Sequence, residues 1–313
     1  MNVEEALKED NPKIRDSTLK LYTRTLEKLK RDCEGDNLYK FLKNPKKVLN
    51  CIGENHNTRK TKIVPILVML RILDADKDIL DVYKEAQMES VNAVNEAYKS
   101  GEKSQKQKDN WLSKEELEGI LEMEEKEYEE MKEKSRGILK HNKYLDAQNF
   151  ILLSLYMKYP LRNDVHTMKI ILKSKWNKMS KAKREEMNYL VINKAEGFLI
   201  LNDYKTAGKY GMKKIDLGEE LTDLINEFLK WRERHGWGNE YFIINRKNEP
   251  MSSNGITKSF MRLFAKYNKV ISTSMIRHII LTEMFGEMEK KKAEMADKIG
   301  NSAETITEKY IKK

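Results

Sequence analysis

The sequence predicts a mainly α-helical protein with a small antiparallel β-sheet, arranged as two domains. Apolar residues recur at helical spacing over most of the chain, short β-type runs cluster after residue 188, and a polar cationic stretch separates Tyr98 from Trp111. Apolar residues every three or four positions indicate helices, whereas short apolar runs bounded by Gly and polar residues indicate strands. With 313 residues, the chain is long enough to bury two separate hydrophobic cores.

The first domain, residues 1–108, is predicted to be helical throughout. Its first main helix begins at Asp16 or Ser17, either of which can cap it, because apolar residues follow at helical spacing. Further helices are predicted from Asn44 and Pro45 onwards, over residues 61–73 and over residues 79–98. The sequence SGEKSQKQKDN then follows, and its composition is typical of an interdomain linker.

The second domain, residues 109–313, is predicted to combine helices with the sheet. Ser113 and Glu116 form a capping box that starts a very acidic helix. The helix over residues 146–159 is largely apolar, which predicts that it is the buried core helix of this domain. Strands are predicted over 189–192, 198–201 and 213–217, and helices over 221–231, 255–267 and 274–285, with short helical pieces to the end.

The charge of the chain favours a polyanionic partner, with nucleic acid as the leading candidate. Lys and Arg number 60 against 50 Asp and Glu, which gives a net charge of +10 and a pI near 9.2. An anionic membrane surface would suit the same charge. However, no apolar run approaches the roughly 20 residues that a membrane span needs, and residues 1–12 are too polar for a signal peptide.

The two cysteines, Cys33 and Cys51, are expected to be packing thiols. They form no CxxC motif and have no nearby Cys or His cluster, so the sequence supports neither a disulfide framework nor a zinc site.

The second domain contains segments whose residue types and order are informative together. They are LYMKYPLRNDVHTMKI (155–170), FLILNDYKTAGKYGMKKIDL (198–217), YFIINRKNEPMSSNGITKSFMRLF (241–264), ISTSMIRHIILTEMF (271–285) and MADKIGNSAETITEKY (295–310). In this order they resemble the catalytic domain of the tyrosine recombinases, the phage-integrase-like family that breaks and rejoins DNA. The helical first domain resembles that family's core-binding domain.

The resemblance implies a set of catalytic residues. The family's two arginines fall at Arg162 and Arg277, its β-hairpin lysine at Lys205, and its nucleophile at Tyr310. Two guanidiniums can bind the non-bridging oxygens of a phosphodiester as negative charge grows in the transition state. The phenol, with an ordinary pKa of about 10, then attacks in a cationic pocket, and the lysine protonates the leaving 5′ oxygen. The phosphotyrosyl bond conserves energy, so no ATP, metal or other cofactor is expected.

The sequence departs from the family pattern at two further site positions. Ser274 stands three residues before the second arginine, where the family usually has His or Lys, and Asn301 replaces the usual His or Trp nine residues before Tyr310. Ser274 and Asn301 can hydrogen-bond a phosphate oxygen, but neither can carry a proton as imidazole does.

Other cations are candidates for contacts with DNA phosphates. The helix over 255–267 can present Lys258 and Arg262, and Arg59, Lys60 and Lys62 open an apolar helix of the first domain. The resemblance implies double-stranded DNA as the partner and four protomers on two DNA sites. Because the sequence shows neither a membrane span nor a signal peptide, we expect no membrane partner and an intracellular compartment that contains DNA.

Two alternative functions are also compatible with the sequence. A type IB topoisomerase uses a similar Arg, Lys, Arg and Tyr set to relax a single duplex. A catalytically silent protein with the same fold would bind DNA equally well with Tyr310→Phe, whereas a recombinase would lose all covalent product.

Overall fold

The computed structural model describes residues 2–33 and 37–311, and the chain divides into two compact units, Met1–Ser104 and Gln105–Lys313. This division lies within the predicted linker, four residues before the predicted boundary at 108. Part of that stretch, Gln105–Asn110, is a short helix. Residues 1, 34–36, 312 and 313 of the predicted domains lie outside the described residues.

The described residues of the first unit form helices packed around one apolar core. The helices are α1 (Val3–Asp10), α2 (Asp16–Asp32), α3 (Leu38–Leu42), α4 (Pro45–Ile52), α5 (His56–Ile72) and α6 (Lys77–Lys99). On α5, Ile63, Ile66 and Leu70 are fully buried because they share one face of the helix. The Tyr83 hydroxyl donates a 2.8 Å hydrogen bond to the Leu42 carbonyl, which fastens α6 to the end of α3.

Two local predictions in this unit are wrong. Helix α2 begins at Asp16, but its N-cap is Arg15 and no side chain caps it. Asp16 instead lies in the first turn, where a carboxylate interacts favourably with the helix dipole. In addition, Cys33 and Cys51 are disulfide-bonded. The packing of α2 against α4 brings their Cα atoms to 6.2 Å, a separation that sequence spacing alone does not reveal.

The second unit is built around one buried helix. After α7 (Gln105–Asn110) come α8 (Lys114–Lys134) and α9 (His141–Lys158), then α10 (Lys173–Lys178), α11 (Lys181–Glu185), α12 (Ala207–Tyr210), α13 (Gly218–Arg234), α14 (Ser253–Ala265), α15 (Thr273–Lys298) and α16 (Ala303–Thr305). The predicted capping box of Ser113 and Glu116 is present at α8. As predicted, α9 is the core helix: Ile151, Leu152 and Leu155 are fully buried, and α8, α13, α14 and α15 all pack against it.

The sheet of this unit is mixed rather than purely antiparallel, because a strand that the sequence did not reveal precedes the predicted ones. Strand β1 (Lys169–Leu172) pairs parallel with β2 (Tyr189–Ile192), while β3 (Gly197–Leu201) and β4 (Lys213–Asp216) continue in antiparallel order. A parallel pair requires a long crossover. Helices α10 and α11 form that crossover.

Both faces of the sheet are covered, which explains why β2 and β3 are buried along their whole length. Leu190 and Leu199 face the main core around α9. On the opposite face, Tyr189 and Phe198 belong to a smaller cluster that is closed by Trp176 of the crossover. The crossover is therefore part of the folded unit.

Helix α15 is longer than predicted. The sequence predicted a helix over 274–285 followed by short pieces, but α15 is continuous from Thr273 to Lys298. The additional turns consist largely of Glu, Lys, Ala and Met, which are strong helix formers. Ion pairs such as Glu289 with Lys292, at 2.6 Å, support them.

No helix within the described ranges is long and apolar enough to cross a membrane.

A buried carboxylate joins α8 to the end of α14. The Glu124 side chain is 2 % exposed, accepts hydrogen bonds from Lys266 Nζ at 2.9 and 3.1 Å, and accepts another from the Tyr267 hydroxyl at 2.9 Å. Burial raises the pKa of Glu124, and Lys266 counteracts that rise.

Replacing Lys266 with Met should therefore destabilise the second unit in a pH-dependent manner. The variant removes the ammonium that neutralises the buried Glu124 carboxylate and leaves the Tyr267 hydroxyl as a donor to it, so we expect the free energy of unfolding to fall by about 3 kcal/mol at neutral pH. A carboxyl whose pKa is raised by folding stabilises the fold below its unfolded pKa of about 4.3 and loses that contribution as the pH rises through the folded pKa. The difference in the free energy of unfolding between the wild type and the variant should therefore become smaller as the pH falls. Urea unfolding at several pH values measures this difference.

The control is Lys134→Met, which removes an exposed partner of Glu130 and should change stability little at any pH. A deficit in Lys266→Met that does not vary with pH would contradict the role given to Glu124.

Candidate active site

The first candidate arginine lies immediately after the core helix. Arg162 is exposed and precedes a single 3-10 turn, Asn163–Val165. The buried Tyr156 hydroxyl shares its one proton between the Arg162 carbonyl, at 3.1 Å, and Asn163 Oδ1, at 3.2 Å. Burial raises the pKa of Tyr156, so the phenol stays protonated and remains a donor. The last turn of α9 therefore fixes the backbone from which Arg162 projects.

Asn163 connects this turn to two further helices. Its Nδ2 donates to the Ser253 carbonyl at 2.8 Å and to Thr257 Oγ1 at 2.9 Å, both at the start of α14. Thr257 Oγ1 in turn lies 3.5 Å from Thr273 Oγ1, in the first turn of α15. The Arg162 turn is thus joined through two side chains to the helix that carries the second arginine.

Ser274 and Arg277 lie on the same face of α15, one turn apart. Ser274 is exposed and Arg277 is half-buried. Ser272 caps the helix by accepting from the Met275 N–H at 3.3 Å. The first turn of a helix carries partial positive charge, so this end of α15 suits a negatively charged group.

The charges of both candidate arginines affect the pKa of Asp164. Burial raises the pKa of Asp164, while the charges of Arg162 and, more weakly, Arg277 lower it. Both guanidiniums therefore act on the same carboxyl group. Asp203, from the loop after β3, raises the pKa of Asp164 further, which places that loop in the same electrostatic environment.

Lys205 lies in this β3–β4 loop and is exposed. The buried Tyr204 beside it donates from its hydroxyl to the Gly211 carbonyl at 2.6 Å. Gly211 has a φ of +66°, a conformation that glycine adopts without strain and that turns the chain into β4. On the other side, the Asn188 amide hydrogen-bonds the carbonyls of both Asp164 and Asp203. The Arg162 turn and the Lys205 loop are thus held by a common side chain.

The other two predicted site residues lie on the C-terminal segment. Asn301 is half-buried, and its backbone N–H donates to the Ala296 carbonyl at 2.9 Å as α15 ends. Tyr310 ends a π-helical turn, Ile306–Tyr310, and is 63 % exposed. Within residues 37–311, no hydrogen bond joins Tyr310 to Arg162, Lys205 or Arg277.

The predicted DNA-contacting cations are distributed over several surfaces. Lys258 and Arg262 are both exposed and lie one turn apart on α14. In the first unit, Lys60 Nζ lies 5.9 Å from the centre of the Tyr98 ring of α6. Lys62 instead lines a cavity with Arg24 and Lys28 of α2. The Nε atom of Arg59 is buried and has no hydrogen-bond partner among the described residues.

The structure also reveals a basic surface that was not predicted from the sequence. The crossover helices α10 and α11 carry four exposed lysines, Lys175, Lys178, Lys181 and Lys183. Arg184 fixes the two helices to each other by donating to the Trp176 carbonyl at 3.1 Å and to the Asn177 carbonyl at 2.9 Å. The cationic run KSKWNKMSKAKR was a visible signal, but nothing in it indicated that the run folds as a fixed unit.

Comparisons with known proteins return structural likenesses only. No protein-family model matches the chain, and no curated protein matches it. The chain is similar to the XerH site-specific recombinase bound to difH substrate in a pre-cleavage complex, with a TM-score of 0.43 and 13 % identity, covering 91 % of this chain and 84 % of that one. It is also similar to XerH bound to a palindromic difH substrate in a post-cleavage complex, with a TM-score of 0.40 and 14 % identity, covering 97 % and 91 %.

Removing the Tyr156 hydroxyl tests whether α9 holds the Arg162 turn. Tyr156→Phe leaves two acceptors without this donor, so we expect a loss of about 1–2 kcal/mol of stability. Hydrogen exchange should also become faster at residues 162–165. Tyr144→Phe is the matched control, since the buried Tyr144 hydroxyl donates instead to Gln148 Oε1 at 2.7 Å. Unchanged exchange at 162–165 in Tyr156→Phe would show that this contact does not hold the turn.

Proposed function

We propose that the chain is a tyrosine-type DNA recombinase that cleaves and rejoins duplex DNA through a 3′-phosphotyrosyl bond to Tyr310. The observation that carries the proposal is a set of side-chain hydrogen bonds made by Asn163, Thr257 and Asn188. It joins the Arg162 turn, the Lys205 loop and the start of the helix that bears Arg277. Cations held in this way can converge on one phosphate.

The chemistry assigns a role to each cation. A phosphodiester gains negative charge on its non-bridging oxygens as the five-coordinate transition state forms. Arg162 and Arg277 offer fixed, paired N–H donors to those oxygens. Ser274 is exposed one turn from Arg277, and its hydroxyl can donate a hydrogen bond to one of these oxygens. The N-terminal turn of α15 adds favourable partial charge.

The covalent step needs no external energy source, because one phosphorus–oxygen bond forms as another breaks. The Tyr310 oxygen forms a bond to phosphorus, the bond from phosphorus to the 5′ oxygen breaks, and the phenolic proton passes to water. Lys205 gives a proton to the leaving 5′ oxygen, which would otherwise depart as a basic alkoxide. Rejoining is the reverse reaction, with a 5′ hydroxyl attacking the phosphotyrosyl bond. The exposure of Tyr310 suits a group that must reach a phosphate on a bound duplex.

DNA binding is proposed to use the remaining basic surfaces. Lys258 and Arg262 on α14, together with the lysines of the α10–α11 crossover, are suited to contact backbone phosphates. Arg59, Lys60 and Lys62 are proposed to give the first unit its own DNA contacts. We further propose that four protomers assemble on two paired sites.

The covalent chemistry is tested by trapping the adduct. Supercoiled DNA that carries the gene's own flanking sequence is incubated with protein and quenched in detergent, and protein-linked strand ends are mapped. We expect a 3′-linked adduct with the wild type and none with Tyr310→Phe, because phenylalanine has no nucleophilic oxygen, while DNA binding is unchanged. Tyr98→Phe, which alters a tyrosine that is 71 % exposed on α6, is the control and should retain the adduct.

Other outcomes would support the alternative functions. Binding without an adduct on any DNA substrate would indicate a silent DNA-binding protein. An adduct accompanied only by relaxation of the plasmid, without strand exchange between two sites, would indicate a topoisomerase.

The crossover surface is tested by the salt dependence of DNA binding. Changing Lys175, Lys178, Lys181 and Lys183 to Gln should lower the slope of log K against log salt by about 0.9 for each DNA phosphate that the variant no longer neutralises. The matched control changes four exposed lysines on or beside the acidic helix α8, namely Lys114, Lys126, Lys134 and Lys140. Equal slopes for the two fourfold variants would show that the crossover makes no specific contact.

A further inference from the structure

Asn188, the residue just before β2, is buried and fully hydrogen-bonded. It is 3 % exposed. Its Nδ2 donates to the carbonyl oxygens of Asp164 and Asp203, both at 2.8 Å. Its Oδ1 accepts from the backbone N–H groups of Asn202 and Asp203, also at 2.8 Å. The side chain thus uses two donors and two acceptor positions, which is the whole capacity of a primary amide.

The two loops that this amide joins are the ones that carry proposed catalytic cations. Asp164 follows Arg162 by two residues, and Asp203 precedes Lys205 by two residues. The Asn188 side chain therefore sets the distance between the backbone near Arg162 and the backbone near Lys205.

The bonding pattern requires an asparagine. An aspartate has the same shape, but one of its oxygens would face the Asp164 and Asp203 carbonyl oxygens without a proton to share. Asp164 and Asp203 also bring their own carboxyl groups to this region, so a third negative charge would be repelled. Glutamine would be one methylene too long for a packed position.

The Lys205 loop has a second anchor, so a change at Asn188 should shift the loop without unfolding it. Asn202 Nδ2 donates to the Arg184 and Met187 carbonyls, both at 2.7 Å. Tyr204 holds the other side of the loop through Gly211.

We infer that Asn188 is a positioning residue, which places Lys205 so that it can protonate the leaving 5′ oxygen while Arg162 binds the same phosphate. This inference rests on the proposed recombinase chemistry. A general acid must come within about 2.6–3.2 Å of the atom that it protonates. A misplacement of about 1 Å can cost on the order of 100-fold in rate.

The experiment uses the cleavage site mapped in the covalent-trap assay, built into two synthetic duplexes. One has the ordinary 5′ bridging oxygen at the scissile phosphate, and the other has sulfur in its place. A thiol has a pKa of about 8.5, so the sulfur can leave as a thiolate without a general acid. Asn188→Asp and Lys205→Ala should both form adduct about 100-fold more slowly than the wild type on the oxygen duplex. On the sulfur duplex, both should return to within about threefold of the wild-type rate, because the proton is no longer needed.

The matched control is Asn226→Asp, the same chemical change in a residue of α13 that bonds the turn at the other end of β2. Asn226 Nδ2 donates to the Asn193 carbonyl at 2.7 Å, in the turn between β2 and β3. This variant should cleave both duplexes at close to the wild-type rate. Thermal unfolding of each variant checks that it is folded. If Asn188→Asp does not fold, Asn188→Ser, which keeps one donor and one acceptor, should show the same selective rescue with a smaller deficit.

Three results would overturn the inference. Two of them concern Asn188 alone, and the third would overturn the proposed function as well. If a folded Asn188 variant is equally slow on both duplexes, its defect does not lie in the delivery of a proton by Lys205. One that matches the wild type on both shows that Asn188 does not position Lys205. If the wild type forms no adduct on any DNA, the mapped site does not exist, and the proposed recombinase function fails together with this inference.

Discussion

The structure of the second unit depends on the burial of α9. Its apolar side chains leave no face for solvent, so α8, α13, α14 and α15 must pack around it. The helix ends before Pro160, and the chain leaves the core at a fixed point with Arg162 directed outwards. Because α14 and α15 pack against the same core helix, their N-terminal turns come close to that point. The candidate site is therefore a consequence of how one apolar helix is covered.

Hydrogen bonds between side chains and backbone then fix the loops that hydrophobic packing leaves unspecified. Asn163 and Asn188 bond groups that are distant in sequence, whereas Tyr156 bonds the turn that follows its own helix; all three have neutral side chains. Neutral groups suit this role because they can be buried with their partners satisfied, whereas buried charges are costly. The cations themselves stay at or near the surface, where water solvates them until an anion binds. The charges of Arg162 and Arg277 both lower the pKa of Asp164, whose carboxyl group can offset part of their mutual repulsion.

Much of the fold could be predicted from local pattern. Strand β2 has the bounds that the sequence predicted, and the core helix and the capping box of α8 were also correct. Predictions failed where the outcome depends on distant contacts. Strand β1 is defined by its pairing with β2, and the bond between Cys33 and Cys51 by the packing of α2 against α4. The sequence also could not show that α15 continues past Phe285, because the residues beyond it lack the apolar spacing on which the prediction relied.

The sequence by itself determined the mainly helical class, and it supplied a predicted boundary in the polar stretch and a set of candidate residues, since composition, periodicity and motif order are local properties. Only the tertiary structure decided which of the segments that bear those residues are held together. It links Arg162 and Arg277 through Asn163, Thr257 and Thr273, and it joins the Lys205 loop through Asn188. None of these linking residues has a sequence signal of its own. Their importance arises from hydrogen bonds between segments that meet only when the chain packs around α9.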